Sequence, residues 1–266
     1  MSENKYINRD GQNAAKIFDN RSVEADYPTL IPLLQPGLSV LDVGCGTGAI
    51  SQGIAKYVGP TGRVVGIDHT EHFIQSGSET YADVPNLELQ VADVFTFAPA
   101  EKFDLIVSAR VLQWLSNPQE ALLKMKNMLK PNGQISILDY NHEALEWRPE
   151  PPASMRIFYN TFLKWRADAG MNNRIAEDLS GYFKVVGLQA IEVYNSDEVY
   201  TRGEANFKTK AGIWAQVAKS TQMVEEGYLQ EADRLKAIAE YTDWVETEAM
   251  QMTMKLKEVR GKVETT

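Results

Sequence analysis

The feature that most constrains the fold is a regular alternation of short apolar runs with amphipathic segments between about Leu38 and Tyr140. Runs such as Val40–Val43 are typical of strands that are covered on both faces of a sheet. Segments between them, such as Ala49–Tyr57, carry their apolar residues at helical spacing. Strands that alternate with helices predict an α/β fold with a parallel sheet and right-handed crossovers.

The rest of the chain predicts helical covers and a final strand around this core, which spans residues 36–140. Near the end of the chain, Met252, Met254 and Leu256 alternate with polar residues, which predicts a last strand within 250–263. We expect this strand to run antiparallel in a mixed sheet. We therefore expect all the predicted helices and strands to belong to a single domain over residues 1–266. The predicted helical cover segments are 1–30, 145–172 and 204–248.

Composition excludes several classes of protein. With 266 residues, of which 44% are hydrophobic, the chain is long enough to bury a sizeable core. Cys45 is the only cysteine, which predicts a reducing, cytoplasmic compartment. No stretch is apolar enough to span a bilayer, so we expect no membrane partner. The net charge of −9 argues against a broad nucleic-acid-binding surface, so no nucleic acid is expected.

A glycine-rich turn follows the first predicted strand and opens the first predicted helix. It contains Gly44, Gly46 and Gly48. Glycines let the backbone turn tightly and approach a ligand closely, and the helix behind them begins with free N–H groups. Ligands of open α/β sheets bind beyond the carboxyl ends of the strands, where this turn is expected.

Two acids follow the next two strands. Asp68 comes 20 residues after Gly48, a position from which a carboxylate can bind two ribose hydroxyls. Asp93 can accept a hydrogen bond from an adenine amino group, and the N–H group of neighbouring Val94 lies at the same edge. Each feature alone is ordinary, because glycines mark turns and Asp caps helices. In this order and spacing they predict a nucleoside site. Gly44, Gly46 and Ala49 also fit a loose dinucleotide pattern, which leaves a nicotinamide cofactor open.

The stretch Leu41–Gly48 resembles the first motif of the class I S-adenosylmethionine-dependent methyltransferases. This resemblance covers about residues 36–140, and the flanking segments resemble the variable covers of small-molecule members more loosely. It implies a Rossmann-like, seven-stranded, mostly parallel sheet with an antiparallel last strand and helices on both faces. Further matches in that family's order are Val65–Asp68, Ala92–Asp93, Phe103–Ile106, Leu112–Leu115 and Leu129–Gln134.

The resemblance implies S-adenosyl-L-methionine as the cofactor. Asp42 would hold its amino group, Gly44 and Gly46 would line its methionine portion, and Asp68 would bind the ribose. The main-chain carbonyl of Ser108 would face the amino-acid end. The residues that the resemblance assigns to the cofactor are Asp42, Gly44, Gly46, Asp68, His69, Asp93, Val94 and Ser108, with His69, Asp93 and Val94 beside the adenine.

Residues beyond the fourth and fifth strands are candidates for the acceptor side. Methyl transfer from a sulfonium is an in-line displacement that depends mainly on positioning, and a base helps when the nucleophile carries a proton. His142 is the leading base, because the pKa of imidazole lies near neutrality. The alternative is a histidine that is hydrogen-bonded to a loop carbonyl. The expected substrate contacts are Arg110, Gln113 and Tyr140.

Three further features leave alternatives open. Arg110 can bind a substrate carboxylate or phosphate, or can form a surface salt bridge. The aromatic residues between Trp147 and Trp165 can line a pocket, but their helical spacing favours core packing. Tyr6 and Tyr27 are candidates to close over the cofactor. No cluster of metal-ligand spacing is present in the sequence, so no metal is expected.

The sequence therefore predicts a methyltransferase that acts on an oxygen or nitrogen of a small molecule. Two alternatives remain: an NAD-dependent oxidoreductase and a non-catalytic S-adenosylmethionine-binding protein.

Overall fold

A computed structural model describes residues 21–264, which form an eight-stranded mixed sheet surrounded by helices. The order across the sheet is β3-β2-β1-β4-β5-β8-β6, and β7 pairs with another part of β8. The strands are β1 Ser39–Val43, β2 Arg63–Asp68, β3 Leu87–Val91, β4 Phe103–Ala109, β5 Leu129–Arg148, β6 Gln189–Asn195, β7 Glu198–Thr201 and β8 Gln251–Lys262.

The helices lie between these strands and beyond them. Two short 3-10 helices, Pro28–Leu33 and Leu112–Trp114, accompany the α-helices. Of the predicted cover at 1–30, residues 1–20, including Tyr6, lie outside the described residues. The α-helices are α1 Val23–Asp26, α2 Ala49–Val58, α3 Glu71–Thr80, α4 Pro118–Asn127, α5 Ala153–Asp168, α6 Ile175–Val185, α7 Phe207–Ala211, α8 Ile213–Val217, α9 Gln222–Glu225 and α10 Glu231–Thr247.

Alternate residues of the central strands face two separate hydrophobic cores. In β1, Val40 packs into one core with helices α2 and α5, whereas Leu41 packs into the other with α4 and α6. Both residues are fully buried. Burial of each large apolar side chain on either face contributes about 1.5–3 kcal/mol to the stability of the folded state. This two-sided burial explains why the strand sequences are apolar runs rather than alternating patterns.

The predicted α/β architecture is confirmed. Strands β1 to β5 pair in parallel, and β8 runs antiparallel between β5 and β6. The sheet has one strand more than the seven expected, because the short β7 pairs with the first half of β8. The strand order reverses between β1 and β4, so the chain leaves these two neighbouring strands in opposite directions. Such a switch point opens a crevice at the carboxyl ends of the strands.

The sequence predicts a fifth strand at Gln134–Asp139, and the observed β5 is much longer. It begins at Leu129, which pairs with Phe103, and after a register shift it continues along β4 from Gln134. Its far end, Glu146–Arg148, pairs with the start of β8 after a second irregularity that begins at Asn141. The segment 145–172, predicted as a helical cover, therefore begins as strand, because β8 supplies hydrogen-bonding partners that local sequence does not reveal.

Among residues 21–264, no helix has the length and apolar character needed to cross a membrane.

Candidate active site

A cavity of about 560 Å³ opens at the switch point between β1 and β4. Cavities of this size hold small molecules and cofactors. Eight of the predicted site residues line it, from both the expected cofactor side and the expected acceptor side. They are Asp42, Gly44, Gly46, Asp68, Arg110, Gln113, Tyr140 and His142.

The glycine-rich turn and the end of β2 form one side of the cavity. Gly44 and Gly46 have φ angles of 73° and 58°, a left-handed conformation that glycine adopts without strain. The N–H of Gly46 donates to Oδ2 of Asp68 at 3.0 Å, and the N–H of Thr70 donates to Oδ1 at 2.9 Å. A carboxylate oxygen accepts more than one hydrogen bond. Asp68 therefore keeps acceptor capacity toward the cavity that it lines.

Asp42 places a second carboxylate at the bottom of the cavity. It is 3% exposed, and its Oδ2 accepts a 2.6 Å hydrogen bond from the Ser51 hydroxyl. Burial raises the pKa of Asp42 to about 6, and the nearby charge of Asp68 acts in the same direction. At neutral pH the group is still mainly ionised. It is therefore a buried anion, and a cationic ligand group would complement its charge.

Four of the residues predicted to contact the cofactor lie outside the cavity walls. His69 is exposed, and its Nδ1 lies 3.7 Å from Oδ1 of Asp68. Asp93 is exposed and accepts a hydrogen bond from the N–H of Phe95 at 2.8 Å. Val94 is buried in the core that contains Leu41. The hydroxyl of Ser108 is buried and donates to the carbonyl of Val43, which joins β4 to β1.

Arg110 lies directly after β4, and the surface salt bridge considered for it is wrong. Its side chain is 3% exposed and forms an ion pair with Glu198 of β7. Nη2 also donates to the carbonyl of Asp26, and Nε donates to the Tyr140 hydroxyl at 2.9 Å. The backbone of Arg110 has a φ of 64°, a strained conformation for a residue with a side chain. Strain of this kind is concentrated at functional sites.

His142 lies in the interruption of the β5–β8 pairing and forms part of the opposite side of the cavity. It is buried, and its Nε2 lies 2.5 Å from Oε1 of Gln113. No described residue is a hydrogen-bond partner of its Nδ1 atom. Burial, together with the charge of Arg166, lowers the pKa of His142 well below the usual value. The ring is therefore neutral at pH 7, and no loop carbonyl binds it among the described residues.

Aromatic rings surround His142. Tyr140, Phe162 and Trp214 have ring centroids 5.1, 6.1 and 5.9 Å from the imidazole. Of the predicted aromatic stretch, only Phe162 lines the cavity, whereas its neighbours Phe158 and Trp165 are core residues, as their spacing favoured. Tyr27 is also a core residue, and its hydroxyl contacts Ser136 at 2.7 Å. It does not line this cavity.

Several parts of the cavity wall were not identified from the sequence, among them Phe73, Val111 and Met254. Arg21, which precedes α1, is another. The largest is the segment 213–225, which includes α8 and α9 and was identified only as part of a helical cover. The apolar pair Ile213-Trp214 directly after a glycine was a signal of a buried wall, but it did not indicate which cavity. Residues of this segment that line the cavity are Ile213, Trp214, Gln216, Val217, Lys219, Ser220, Thr221, Gln222 and Glu225.

Within residues 21–264, no three His, Cys, Asp or Glu side chains gather in a way that could hold a metal ion.

A family model described as a methyltransferase domain matches residues 34–212, which is more than half of the chain. The chain belongs to this methyltransferase family. The resemblance to class I S-adenosylmethionine-dependent methyltransferases is thereby confirmed. The glycine-rich turn and His142 both lie inside the matched methyltransferase domain, whereas Trp214 and β8 follow it.

The names of two relatives of this methyltransferase domain specify different acceptor atoms. Malonyl-[acyl-carrier protein] O-methyltransferase 1 of Ilyobacter polytropus is 27% identical over 147 residues, which are 53% of this chain and 54% of the relative. A ubiquinone/menaquinone biosynthesis C-methyltransferase of Cupriavidus pinatubonensis is 28% identical over 179 residues, which are 61% of this chain and 72% of the relative.

A solved structure shows the same fold over nearly the whole chain. Phosphoethanolamine N-methyltransferase 2 of Haemonchus contortus, in complex with S-adenosyl-L-methionine, has 15% identity and a TM-score of 0.55. The match covers 99% of this chain and 55% of that chain. The present chain spans between 32% and 66% of the length of three curated relatives that it matches.

Proposed function

We propose that the protein is an S-adenosylmethionine-dependent methyltransferase that acts on an oxygen or nitrogen atom of a small molecule. One observation carries this proposal: a single cavity joins the glycine-rich turn and Asp68 at one side to His142 and its aromatic neighbours at the other. Methyl transfer needs a donor and an acceptor held in line. A cavity with two chemically different sides suits that requirement.

The residues on the turn side fit the donor. Asp68 has acceptor capacity for ribose hydroxyls, because each of its oxygens accepts one backbone hydrogen bond. Asp42 is an ionised, buried carboxylate suited to the donor's ammonium group. When bound, S-adenosylmethionine supplies a methyl group on a positively charged sulfur. Its methionine portion is proposed to lie beside Gly44 and Gly46, which line the cavity.

The adenine is proposed to lie beyond Asp68, toward β3. The N–H of Ala92 donates to the carbonyl of Asp68 at 2.9 Å, so Asp93 and Val94 follow directly beside the proposed ribose site. His69 lies next to Asp68 along the chain and is exposed. These three residues lie outside the cavity walls, and they are proposed to contact the edge of the adenine where it extends beyond the cavity. Ser108 is proposed to act through its main chain, since its hydroxyl is bound to Val43.

The acceptor is proposed to lie between Arg110, Tyr140 and His142. Because Glu198 already neutralises Arg110, the guanidinium is less suited to bidentate binding of a carboxylate or phosphate than expected. Its Nη1 atom has no hydrogen-bond partner among the described residues and supports a single polar contact. His142 is neutral at pH 7 and can accept a proton or a hydrogen bond from a hydroxyl or amine. This feature favours oxygen and nitrogen acceptors over carbon.

Release of S-adenosylhomocysteine in the presence of small hydroxyl and amine compounds tests the proposal. We expect turnover by the wild type, and a His142→Gln variant with much lower kcat and unchanged donor affinity. Glu150→Gln, which changes an exposed residue that follows β5 and lies outside the cavity walls, is the control with full turnover. A methylated carbon in the product would contradict the choice of acceptor atom. Donor binding without methyl transfer to any acceptor would favour the non-catalytic alternative.

A further inference from the structure

Gln113 and His142 form a direct contact at the acceptor side of the cavity. Gln113 belongs to the 3-10 helix Leu112–Trp114, and His142 belongs to β5, so two separate elements meet here. The two side chains are almost completely buried, at 2% and 5% exposure. Hydrogen bonds at such depth fix the donor and acceptor roles of both groups, because water cannot replace a wrong partner.

The partners of Gln113 determine which way its amide points. Its Nε2 atom lies 3.1 Å from the main-chain carbonyl of Arg110, which can only accept a hydrogen bond. The NH₂ group must therefore face Arg110, and the carbonyl oxygen Oε1 faces His142. At 2.5 Å from Oε1, the Nε2 atom of His142 has to be the donor. The hydrogen of the neutral ring is thus on Nε2, and Nδ1 carries a lone pair.

Gln113 is itself held by its main chain. Its N–H donates to Oδ2 of Asp139 at 3.0 Å, and its carbonyl accepts from Nη2 of Arg166 at 2.9 Å. Both of these partners are fully buried. The position of the Gln113 backbone therefore does not depend on its side-chain amide, and the amide can be changed without removing these anchors.

His142 is held in the same way. Its N–H donates to the carbonyl of Asn173 at 2.7 Å, and its own carbonyl accepts from the Tyr159 hydroxyl at 2.6 Å. The charged group that acts on the ring is Arg166, whose guanidinium also lies over Trp114. Nδ1 has no hydrogen-bond partner among residues 21–264. A buried lone pair without a partner costs free energy unless a ligand supplies a donor.

We propose that Gln113 is a positioning residue that fixes His142 in the Nε2–H tautomer, so that Nδ1 accepts a hydrogen bond from the O–H or N–H group of the acceptor. This inference rests on the proposed function for the identity of the acceptor. It changes the role of Gln113, which the sequence predicted as a direct substrate contact. It also defines the acceptor class as compounds that carry a hydrogen on the atom to be methylated.

The ring nitrogens of His142 provide a direct test by ¹⁵N NMR spectroscopy of the resting protein. The chain has only three histidines, so a His142→Gln variant identifies the signals and His72→Gln serves as the assignment control. At pH 7 the wild type is expected to show a protonated Nε2 and an unprotonated Nδ1. A proton on Nδ1, or on both nitrogens, would overturn the proposal.

A Gln113→Leu variant tests the positioning role. Its ring signals are expected to move toward a mixture of tautomers. Because His142 itself remains, kcat is expected to fall by about 10- to 100-fold, less than the roughly 10²–10⁴-fold that a complete acid–base contribution supplies. Affinity for S-adenosylhomocysteine should stay within twofold, as it should in Gln75→Leu, a control at an exposed glutamine of α3. Full turnover in Gln113→Leu would overturn the positioning role. An inactive wild type would contradict the proposed function, whereas the ring spectrum tests the tautomer in either case.

Discussion

The N–H of Gly46 donates a 3.0 Å hydrogen bond to Oδ2 of Asp68, which fastens the glycine-rich turn to the end of β2. The same carboxylate is proposed to bind the ribose of the donor. Asp68 therefore has two tasks: it holds the turn in place and it presents acceptor oxygens to the cavity. Loss of the carboxylate should weaken donor binding in two ways, because the turn loses its hydrogen bond and the ribose loses its acceptor oxygens.

Asp68→Ala is expected to lower the affinity for S-adenosylhomocysteine by at least ~1 kcal/mol, because charged hydrogen bonds are lost. This corresponds to a rise in Kd of about fivefold or more. Isothermal titration calorimetry measures the difference. Asp83→Ala removes an exposed carboxylate outside the cavity and should leave the Kd unchanged. Equal Kd values for Asp68→Ala and the wild type would break the assignment of the ribose site.

The ionisation of Asp42 determines how donor binding is expected to depend on pH. Its pKa is raised to about 6 by burial, with Asp68 adding to the shift and the Ser51 hydrogen bond opposing it. Below that pH the carboxyl becomes protonated and loses its attraction for an ammonium group. The affinity for S-adenosylhomocysteine should be nearly constant from pH 7 to 8 and about tenfold weaker at pH 5, one unit below the pKa.

An Asp42→Asn variant is the control for this pH dependence, since it keeps the size of the side chain and removes the titrating group. It should bind weakly at pH 7 and vary little between pH 5 and 8. A wild-type affinity that is flat over the same interval would mean that Asp42 does not bind the ammonium group.

Two helical glycines should respond to alanine in opposite directions. A Cβ atom on Gly77 of α3 would lie 2.2 Å from the carbonyl oxygen of Thr47, so the helix and the glycine-rich turn would have to separate. We expect Gly77→Ala to lower the free energy of unfolding by about 1–3 kcal/mol. A Cβ on Gly181 of α6 meets no atom within 4 Å. Gly181→Ala should raise stability by up to about 1 kcal/mol, because alanine favours helix.

Denaturant unfolding monitored by circular dichroism gives both values. The prediction fails if the two variants change stability in the same direction. Gly77→Ala should also weaken binding of S-adenosylhomocysteine, whereas Gly181→Ala should not.

The ion pair between Arg110 and Glu198 should contribute far more than an exposed pair. Glu198→Gln leaves the buried guanidinium without its counter-charge, and breaking such a pair costs about 3–5 kcal/mol. The comparison is Glu150→Gln, which breaks the exposed pair with Arg156 and should cost less than about 1 kcal/mol. Thermal unfolding at equal pH and salt measures both. If both variants lose equally little stability, the ion pair with Glu198 does not stabilise the buried charge of Arg110.

Local sequence patterns predict the glycine-rich turn, the first four strands and the acids that follow the strands. Val40–Val43 is apolar enough to be buried on two faces, and Asp68 lies at a fixed distance from Gly48 along the chain. The parallel order then follows from the alternation of strands and helices. Local pattern and tertiary structure agree in this part of the molecule.

Other features depend on contacts between distant parts of the chain. The pairing of Arg110 with Glu198 joins residues 88 positions apart, and nothing near Arg110 indicates that its charge is neutralised. The extension of β5 to Arg148 depends on β8, more than a hundred residues later. The orientation of His142 depends on the amide of Gln113, which in turn depends on a carbonyl of Arg110. These residues were predicted on the acceptor side, but local sequence contains no information on which hydrogen bonds they share.

The cavity between β1 and β4 is proposed to bind an S-adenosylmethionine-type donor rather than a dinucleotide. Isothermal titration of the wild-type protein with S-adenosylhomocysteine, and separately with NAD, tests it most directly. We expect one saturable site for S-adenosylhomocysteine, with weaker binding in Asp68→Ala, and no binding of NAD. Binding of NAD without binding of S-adenosylhomocysteine would contradict it.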